Sequence, residues 1–314
     1  MKYAVIGDIH GNAPALRLAL DDARAHHVDG YLLAGDYCIS APWAEEVITL
    51  LRQLPGALII RGNDENHLDL PDSDDGQFEA SRWCARSLSA DNKAWLDALP
   101  EEITFTCQGV PVRMAHASTV FLGKALHTHF RTSVLPGRFP HGPLAHEDLL
   151  ADFRRLMTQD ETCRSAVSAL DAGVYIFAHN HIQTHGCFDG RWLVNPGSCG
   201  LPLDCGDFAA CYTLLTIEDG HVQVEERRIP YDVEALIAQA KTTGHYAHAR
   251  IWSEIIFSEW RTCREKVFFF LTFTEEYANR IGDPRRPFAR DTWQAAYEEW
   301  LTAGPRRWPE LFVR

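Results

Sequence analysis

Two short polar clusters share one spacing. Ile6-Gly7-Asp8-Ile9-His10 carries a carboxylate and an imidazole two residues apart, and Ala178-His179-Asn180-His181 carries two imidazoles at the same interval. In an extended segment that interval puts both side chains on one side. Between the two clusters stand Gly35-Asp36, Arg61-Gly62-Asn63-Asp64 and Met114-Ala115-His116, and Asn195-Pro196-Gly197-Ser198 follows them. Asp8, His10, Asp36, Asn63, His116, His179 and His181 are all of metal-ligating type. They are too many for one tetrahedral zinc and too few for two separate closed sites. Two ions sharing a carboxylate fit them. Asp8, His10, a bridging Asp36 and one imidazole would hold the first, and Asp36, Asn63 and two imidazoles the second. Ions about 3.5–4 Å apart with open positions suit in-line displacement at phosphorus. Mixed oxygen and nitrogen donors favour Mn²⁺ and admit Fe, Zn, Co or Ni.

Each cluster follows a short apolar run, and the runs are what must bring the clusters together. They are Tyr3–Ile6, Tyr31–Ala34, Ala57–Ile60, Val110–Ala115, Val174–Ala178 and Trp192–Val194. Most lack strict alternation, as strands covered on both faces do. Helical stretches separate them, so the pattern to about residue 229 is that of a layered α/β fold. Asn12 and Pro14 open a helix through Leu16, Ala19, Leu20 and Ala23, and Ala44–Leu54 is a second, stopped by Pro55-Gly56. Asp219-Gly220 predicts a hairpin between Ala210–Ile217 and His221–Ile229. Loops after parallel strands gather at one sheet edge, where open α/β sheets place their ligands.

From Tyr231 the text becomes helical and aromatic. Asp232 caps a helix running towards Gly244. A long helical stretch from Ala247 to Ile281 follows, and Asp283-Pro284-Arg285-Arg286-Pro287 breaks it. Asp291-Thr292-Trp293-Gln294 has the form of a capping box before a last helix. Trp252, Ile255, Ile256, Trp260, Val267, Phe270 and Leu271 recur at helical spacing, which predicts a face packed on the core, with a homodimer contact as the rival use.

Taken singly, Asp8 could cap a helix, Asp36 could serve a turn and His116 could be a satisfied half-buried histidine. Taken together they would need an independent reason at every sheet edge. GDIHGN, GD, GND, the lone His116, HNH and NPGS stand in the order and spacing of the calcineurin-like metallophosphoesterases, and the chain resembles their YfcE-type bacterial and archaeal branch over residues 1–230. That resemblance implies two stacked β-sheets between helices, an α-β-β-α sandwich, with residues 231–314 as a helical C-terminal extension. It assigns Asp8, His10, Asp36 and His181 to the first metal, and Asp36, Asn63, His116 and His179 to the second. It implies a phosphoester hydrolase acting through a metal-bridging hydroxide, with Asn63, Asp64 and His179 as catalytic candidates. The most active phosphatases and nucleases of that family read Gly-Asn-His in the third cluster, where the histidine is assigned to protonate the leaving oxygen. Here Asp64 takes that place, and cations nearby would hold its carboxyl ionised. Ala117 and Ala178 replace usual glycines and Asn180 a usual threonine, without removing a ligand.

Other features weigh less. Arg61 is the candidate phosphate contact, with pairing to Asp64 the equal alternative. His67 lies one helical turn past Asn63. His127, His129, Arg131, His141 and His146 fall in a long insertion that could shape access. Tyr37, Trp43 and Phe139 could stack on a base or simply pack, and Ser198 reads as a turn residue.

Lys and Arg number 30 against 43 Asp and Glu, a net charge of −13 that supplies no overall field for a nucleic-acid backbone. The expected partner is therefore a small phosphorylated molecule, a phosphomonoester, phosphodiester or nucleotide. A dinucleoside polyphosphate or a phosphoprotein is the enzymatic alternative, and a partner-binding scaffold the non-enzymatic one. No run approaches the roughly 18 apolar residues of a membrane span, and Tyr3–Ile6 is far short of a secretory core. Nine scattered cysteines with no CxxC pair suggest reduced thiols and a cytoplasmic protein.

Overall fold

The computed structural model describes residues 1–125, 145–204 and 206–311. The predicted runs become strands at nearly their predicted limits. β1 (Lys2–Ile6), β2 (Gly30–Leu33) and β3 (Ala57–Ile59) lie parallel to one another. A second sheet is built from β4 (Glu102–Cys107), β5 (Val110–Ala115), β6 (Gly173–Ile176), β7 (Gln183–Phe188) and β8 (Arg191–Pro196). The chain then returns to the first sheet with β9 (Ala209–Glu218), antiparallel to β1, and β10 (His221–Pro230). The strand orders are β10-β9-β1-β2-β3 and β4-β5-β6-β8-β7. Asp219 and Gly220 close the β9–β10 hairpin, both at positive φ (49° and 78°), as a twist-matched two-residue turn requires. β4 and β7 have no counterpart in the predicted runs. β4 alternates exposed and half-buried residues along an edge, and β7 reads Gln-Thr-His-Gly-Cys-Phe, with little β-branched content.

The two sheets face each other across an apolar layer. Val5, Leu32, Ala34, Leu215 and Ile217 of the first meet Val112, Met114, Val174, Ile176 and Val194 of the second. The outer face of the first sheet is covered by α1 (Ala13–Ala25) and α2 (Ala44–Leu51), with α3 (Glu79–Ser87) and α4 (Ala90–Asp97) beyond. Asn12 accepts from the Ala15 N–H and Pro14 sits in the first turn of α1, as expected. α2 ends at Leu51, short of the expected Leu54. After the short α5 (Thr119–Leu122), α6 (His146–Gln159) and α7 (Glu161–Ser168) cover the second sheet.

Residues 231–311 form five further helices: α8 (Val233–Lys241), α9 (Gly244–His248), α10 (Arg250–Thr262), α11 (Val267–Ile281) and α12 (Arg290–Leu311). Asp232 caps α8 through the N–H groups of Glu234 and Ala235. The expected continuous stretch over Ala247–Ile281 is two helices, because Cys263 turns left-handed (φ 47°) and ends α10. The expected capping box at Asp291 does not form. α12 starts at Arg290, so Asp291 lies inside the first turn and pairs with Arg285. Ile251, Ile255, Phe270, Trp293, Tyr297 and Trp300 join Leu149, Phe153 and Phe177 in one cluster, so the extension shares its core with the second sheet. Truncating a ring such as Phe270, which meets Trp293 and Trp300 edge-on, would cost about 3–5 kcal/mol. No helix among the described residues is long and apolar enough to cross a membrane.

Candidate metal centre

All seven predicted ligands lie at the ends of strands on one rim. The loops after β1, β2 and β3 deliver Asp8, His10, Asp36 and Asn63, and those after β5 and β6 deliver His116, His179 and His181. Three overlapping groups result: Asp8, His10 and His181; Asp36, His116 and His179; and His10, Asp36 and Asp64. Within each group the ligand atoms all lie within 4.8 Å of one another. His10 Nε2 stands 3.0 Å from His181 Nε2, and His116 Nε2 stands 3.0 Å from Asn63 Oδ1 and 3.1 Å from Asp36 Oδ2.

The backbone accepts unusual conformations to do this. Asp8, His10, Asp36, His179 and His181 all have φ between 49° and 70°, a region that side chains other than glycine seldom occupy and that costs on the order of 1–3 kcal/mol each. The loops are stitched together in compensation. The N–H of Asp8 donates to Gly35 O, those of Ile9 and His10 to Asp36 O, and that of Gly11 to Tyr37 O, at 2.8–3.0 Å. Gly62 is needed for contact, since a Cβ there would lie 2.2 Å from Asp36 Oδ1. Glu65, fully buried, accepts from the N–H groups of Asp36, Tyr37 and Gly62 and so ties the second cluster to the third. Nothing in the sequence singles Glu65 out. Ser198 is the expected turn residue, donating to Asp8 O at 2.6 Å and accepting from Leu201 N–H. Asn195 donates to Asn180 Oδ1, which also accepts from Ile182 N–H and so braces the turn between the two imidazoles.

The donor chemistry fits cations. His116 Nδ1 commits its proton to Ala34 O at 2.7 Å and His181 Nδ1 to Leu201 O at 2.8 Å. Each Nε2 is thereby left as a lone-pair donor aimed into the cluster, the arrangement that orients metal-bound histidines. Lone pairs of nitrogen and oxygen then face one another at about 3 Å, which needs positive charge between them. Protons meet that need in the ion-free cluster. Burial opposes charging His116 and His10, yet Asp36 raises the first to about 10, and Asp64, Asp36 and Asp8 raise the second to about 9. Burial lifts Asp8 to about 7 against the pull of His116. Asp36, although buried, is held well below the usual carboxylate range, chiefly by His116. Divalent cations among these atoms would take over what the protons do.

Asp64 lines the site with its Oδ2 3.1 Å from His10 Nδ1 and its Oδ1 accepting from Asn63 Nδ2. Arg61 is not brought in. Its guanidinium donates to Glu65 O and lies 3.9 Å from Asp69 and 4.0 Å from Asp97, so it pairs with neither a phosphate site nor Asp64. His67 packs at a tilt against Phe78 with its Nδ1 4.0 Å from Asp64. Tyr37 is buried, its hydroxyl donating to Ile60 O, and Trp43 packs on the apolar clusters, so both serve the core. His146 pairs with Glu226 on β10, whose carboxyl also accepts from His185. His127, His129, Arg131, Phe139 and His141 lie outside the described residues.

The cluster opens into a cleft of about 240 Å³ whose far side belongs to the extension. Trp252 and Ile256 of α10 and Val267, Phe268 and Leu271 of α11 face His10, Asp36, Asn63, Asp64, His179 and His181 across it. The extension also braces the ligand loops. Trp260 Nε1 donates to Gly200 O at 3.0 Å, one residue before the carbonyl that fixes His181. His245 Nε2 donates to Ile39 O at 3.0 Å, holding a β-branched residue at φ 80° three residues past Asp36. Helical periodicity alone marks these residues as packing, which is why sequence reasoning missed them.

A sequence model of the calcineurin-like phosphoesterase superfamily domain matches residues 1–220. An uncharacterized protein of Methanocaldococcus jannaschii is 24% identical over 252 residues, 74% of this chain and 88% of its own length. A metallophosphoesterase from Sphaerobacter thermophilus superposes with a TM-score of 0.52 at 22% identity, covering 78% of this chain and 95% of that one. A hypothetical protein from Pyrococcus horikoshii gives 0.57 at 16% identity, covering 84% and 99%.

Proposed function

The chain belongs to the calcineurin-like phosphoesterase superfamily, and from that premise we propose that it hydrolyses small phosphate esters at a binuclear centre, with Mn²⁺ the preferred ion. The observation that supports this most is the convergence of three overlapping ligand groups on one cleft, with Asp36 between the sets that contain His10 and His116. Two divalent cations, when bound, supply Lewis acidity towards the phosphoryl oxygens and acidify a water. Asp8, His10 and His181 would hold one ion and Asn63, His116 and His179 the other, with Asp36 shared between them.

The protein's own groups do the positioning. The Asn63 amide is pinned by its bond to Asp64, which turns Oδ1 towards His116, where it could join that imidazole in holding the second ion. The His179 N–H donates to both oxygens of Asp8, at 3.0 and 3.2 Å, and holds that carboxylate in place. Asp64 acts through His10 as an orienting carboxylate, not as a proton donor, so the enzyme favours esters whose alcohols leave as stable anions.

The test is turnover of p-nitrophenyl phosphate and bis(p-nitrophenyl) phosphate by the Mn²⁺-loaded protein. Activity should vanish on chelation and return with Mn²⁺, and calorimetry should count two ions per chain. A protein that binds two ions and turns over neither ester would overturn the proposal in favour of a scaffold.

A further inference from the structure

The cleft has two chemically opposite sides. One carries the candidate ligands and Asp64. The other is lined by Leu201, Leu203, Trp252, Ile256, Val267, Phe268 and Leu271. Two acidic residues also reach this side, and both are engaged by the backbone of α11. Glu259 Oε1 accepts from Lys266 N–H at 2.6 Å and Val267 N–H at 2.8 Å, and Glu265 Oε1 accepts from Phe268 N–H at 2.9 Å. Both hold the start of the helix that carries the apolar side chains. Phe268 stands 53% exposed although it borders a binding cleft, an apolar ring held in water.

We propose that the α10–α11 corner is the recognition wall for the alcohol half of the substrate, and that this half is a compact aryl group. The inference rests on the phosphoesterase reading for the other half. The lining favours such a group: among the described residues, the side opposite the candidate ligands is mostly apolar. Size points the same way. A cleft of about 240 Å³ is smaller than the roughly 300–1,000 Å³ that encloses a drug-sized ligand. With the phosphoryl group among the candidate ligands, a ring attached to it would meet Leu271, Val267 and Phe268.

Leaving-group reactivity would confound a comparison of esters, so the probes are non-hydrolysable. Phenylphosphonate and methylphosphonate present similar anions and differ in the apolar group. Calorimetry with the Mn²⁺-loaded full chain should show the phenyl compound binding about ten-fold tighter or more. Phe268→Ser and Leu271→Thr, one on an exposed and one on a half-buried residue, should each bring that ratio to within about three-fold of unity. Methylphosphonate affinity and the count of two bound ions should not change. A wild-type ratio near one, or a ratio that neither variant moves while both bind two ions, overturns the recognition wall. Loss of ester turnover with the phenyl preference intact overturns the phosphoesterase reading instead, so the two failures are separable.

Discussion

The two sides of the cleft are made in different ways. The ligand side is loops. Seven donors come from five strand ends, five of them at positive φ, and hydrogen bonds between backbones or through the Glu65 and Asp36 carboxylates fix the loops to one another. The opposite side is helix surface. Apart from Leu201 and Leu203 it comes from residues 252–271, in amphipathic helices that share a core with the second sheet. Ion-binding chemistry needs polar atoms at fixed angles, and only short, strained, glycine-assisted turns supply them. Recognition of an apolar group needs area and shape, which any packed helix can offer. The first kind of surface leaves a mark in residue type and close spacing, and the second does not.

The sharpest way to break this division is to attack the carboxylate proposed to be shared. Asp36→Asn keeps the volume and removes the charge that would bind both ions. Turnover should fall by about a thousand-fold or more for every ester, without altering the preference between phenyl- and methylphosphonate where binding persists. Near-ultraviolet circular dichroism should be unchanged, since Asp36 packs against loops and not into the sheet layer. A variant that kept more than a tenth of its activity would show that Asp36 is not central to the ligand side.

That difference also explains what the sequence revealed. Gly7-Asp8-Ile9-His10 and His179-Asn180-His181 are legible because both donors of a pair sit within three residues, and the apolar run before each tells which rim it reaches. The hairpin at Asp219-Gly220 is legible for the same reason. Glu65 was not, because its three partners are backbone N–H groups that leave no trace in residue type. Trp260 and His245 were not, because their partners, Gly200 and Ile39, lie 60 and 206 residues away. β4 escaped because an edge strand need not read as a buried run, and the break at Cys263 because a left-handed cysteine has no signature.

His245 joins the two sides and gives a second, smaller prediction. Burial pushes its imidazole down to about 4 from an ordinary 6.5, with the bond to Ile39 and the charge of His248 as minor influences. Ser253 faces its Nδ1 and Trp83 its ring edge, so no acid among these neighbours compensates a charge. Below pH 6.5 the unfolded chain takes up a proton that the folded chain refuses until about pH 4. This residue's share of stability is thus full above 6.5 and is lost progressively between 6.5 and 4, to a limit of about 3 kcal/mol. Urea midpoints of the ion-free protein at pH 7, 5.5 and 4.5 should fall more steeply for the wild type than for His245→Leu. The variant should also bind Mn²⁺ about ten-fold more weakly, because the Asp36 loop loses its strut. Equal pH slopes, or unaltered Mn²⁺ affinity, would separate the helices from the ligand loops and undo their coupling.

The smallest effect is expected at Arg61, and its smallness is informative. The residue stands directly before Gly62-Asn63, where a phosphate contact would be natural, yet its guanidinium turns outward to Glu65 O, Asp69 and Asp97. Those carboxylates are half-exposed, and pairs of that kind contribute about 0–1 kcal/mol. Arg61→Gln should therefore change kcat/KM for p-nitrophenyl phosphate by less than about three-fold and lower stability by no more than about 1 kcal/mol. A large rise in KM would mean that the side chain swings inward when substrate binds. The ligand side would then carry its own cation for the phosphate, and orientation of the substrate would depend less on the apolar wall opposite.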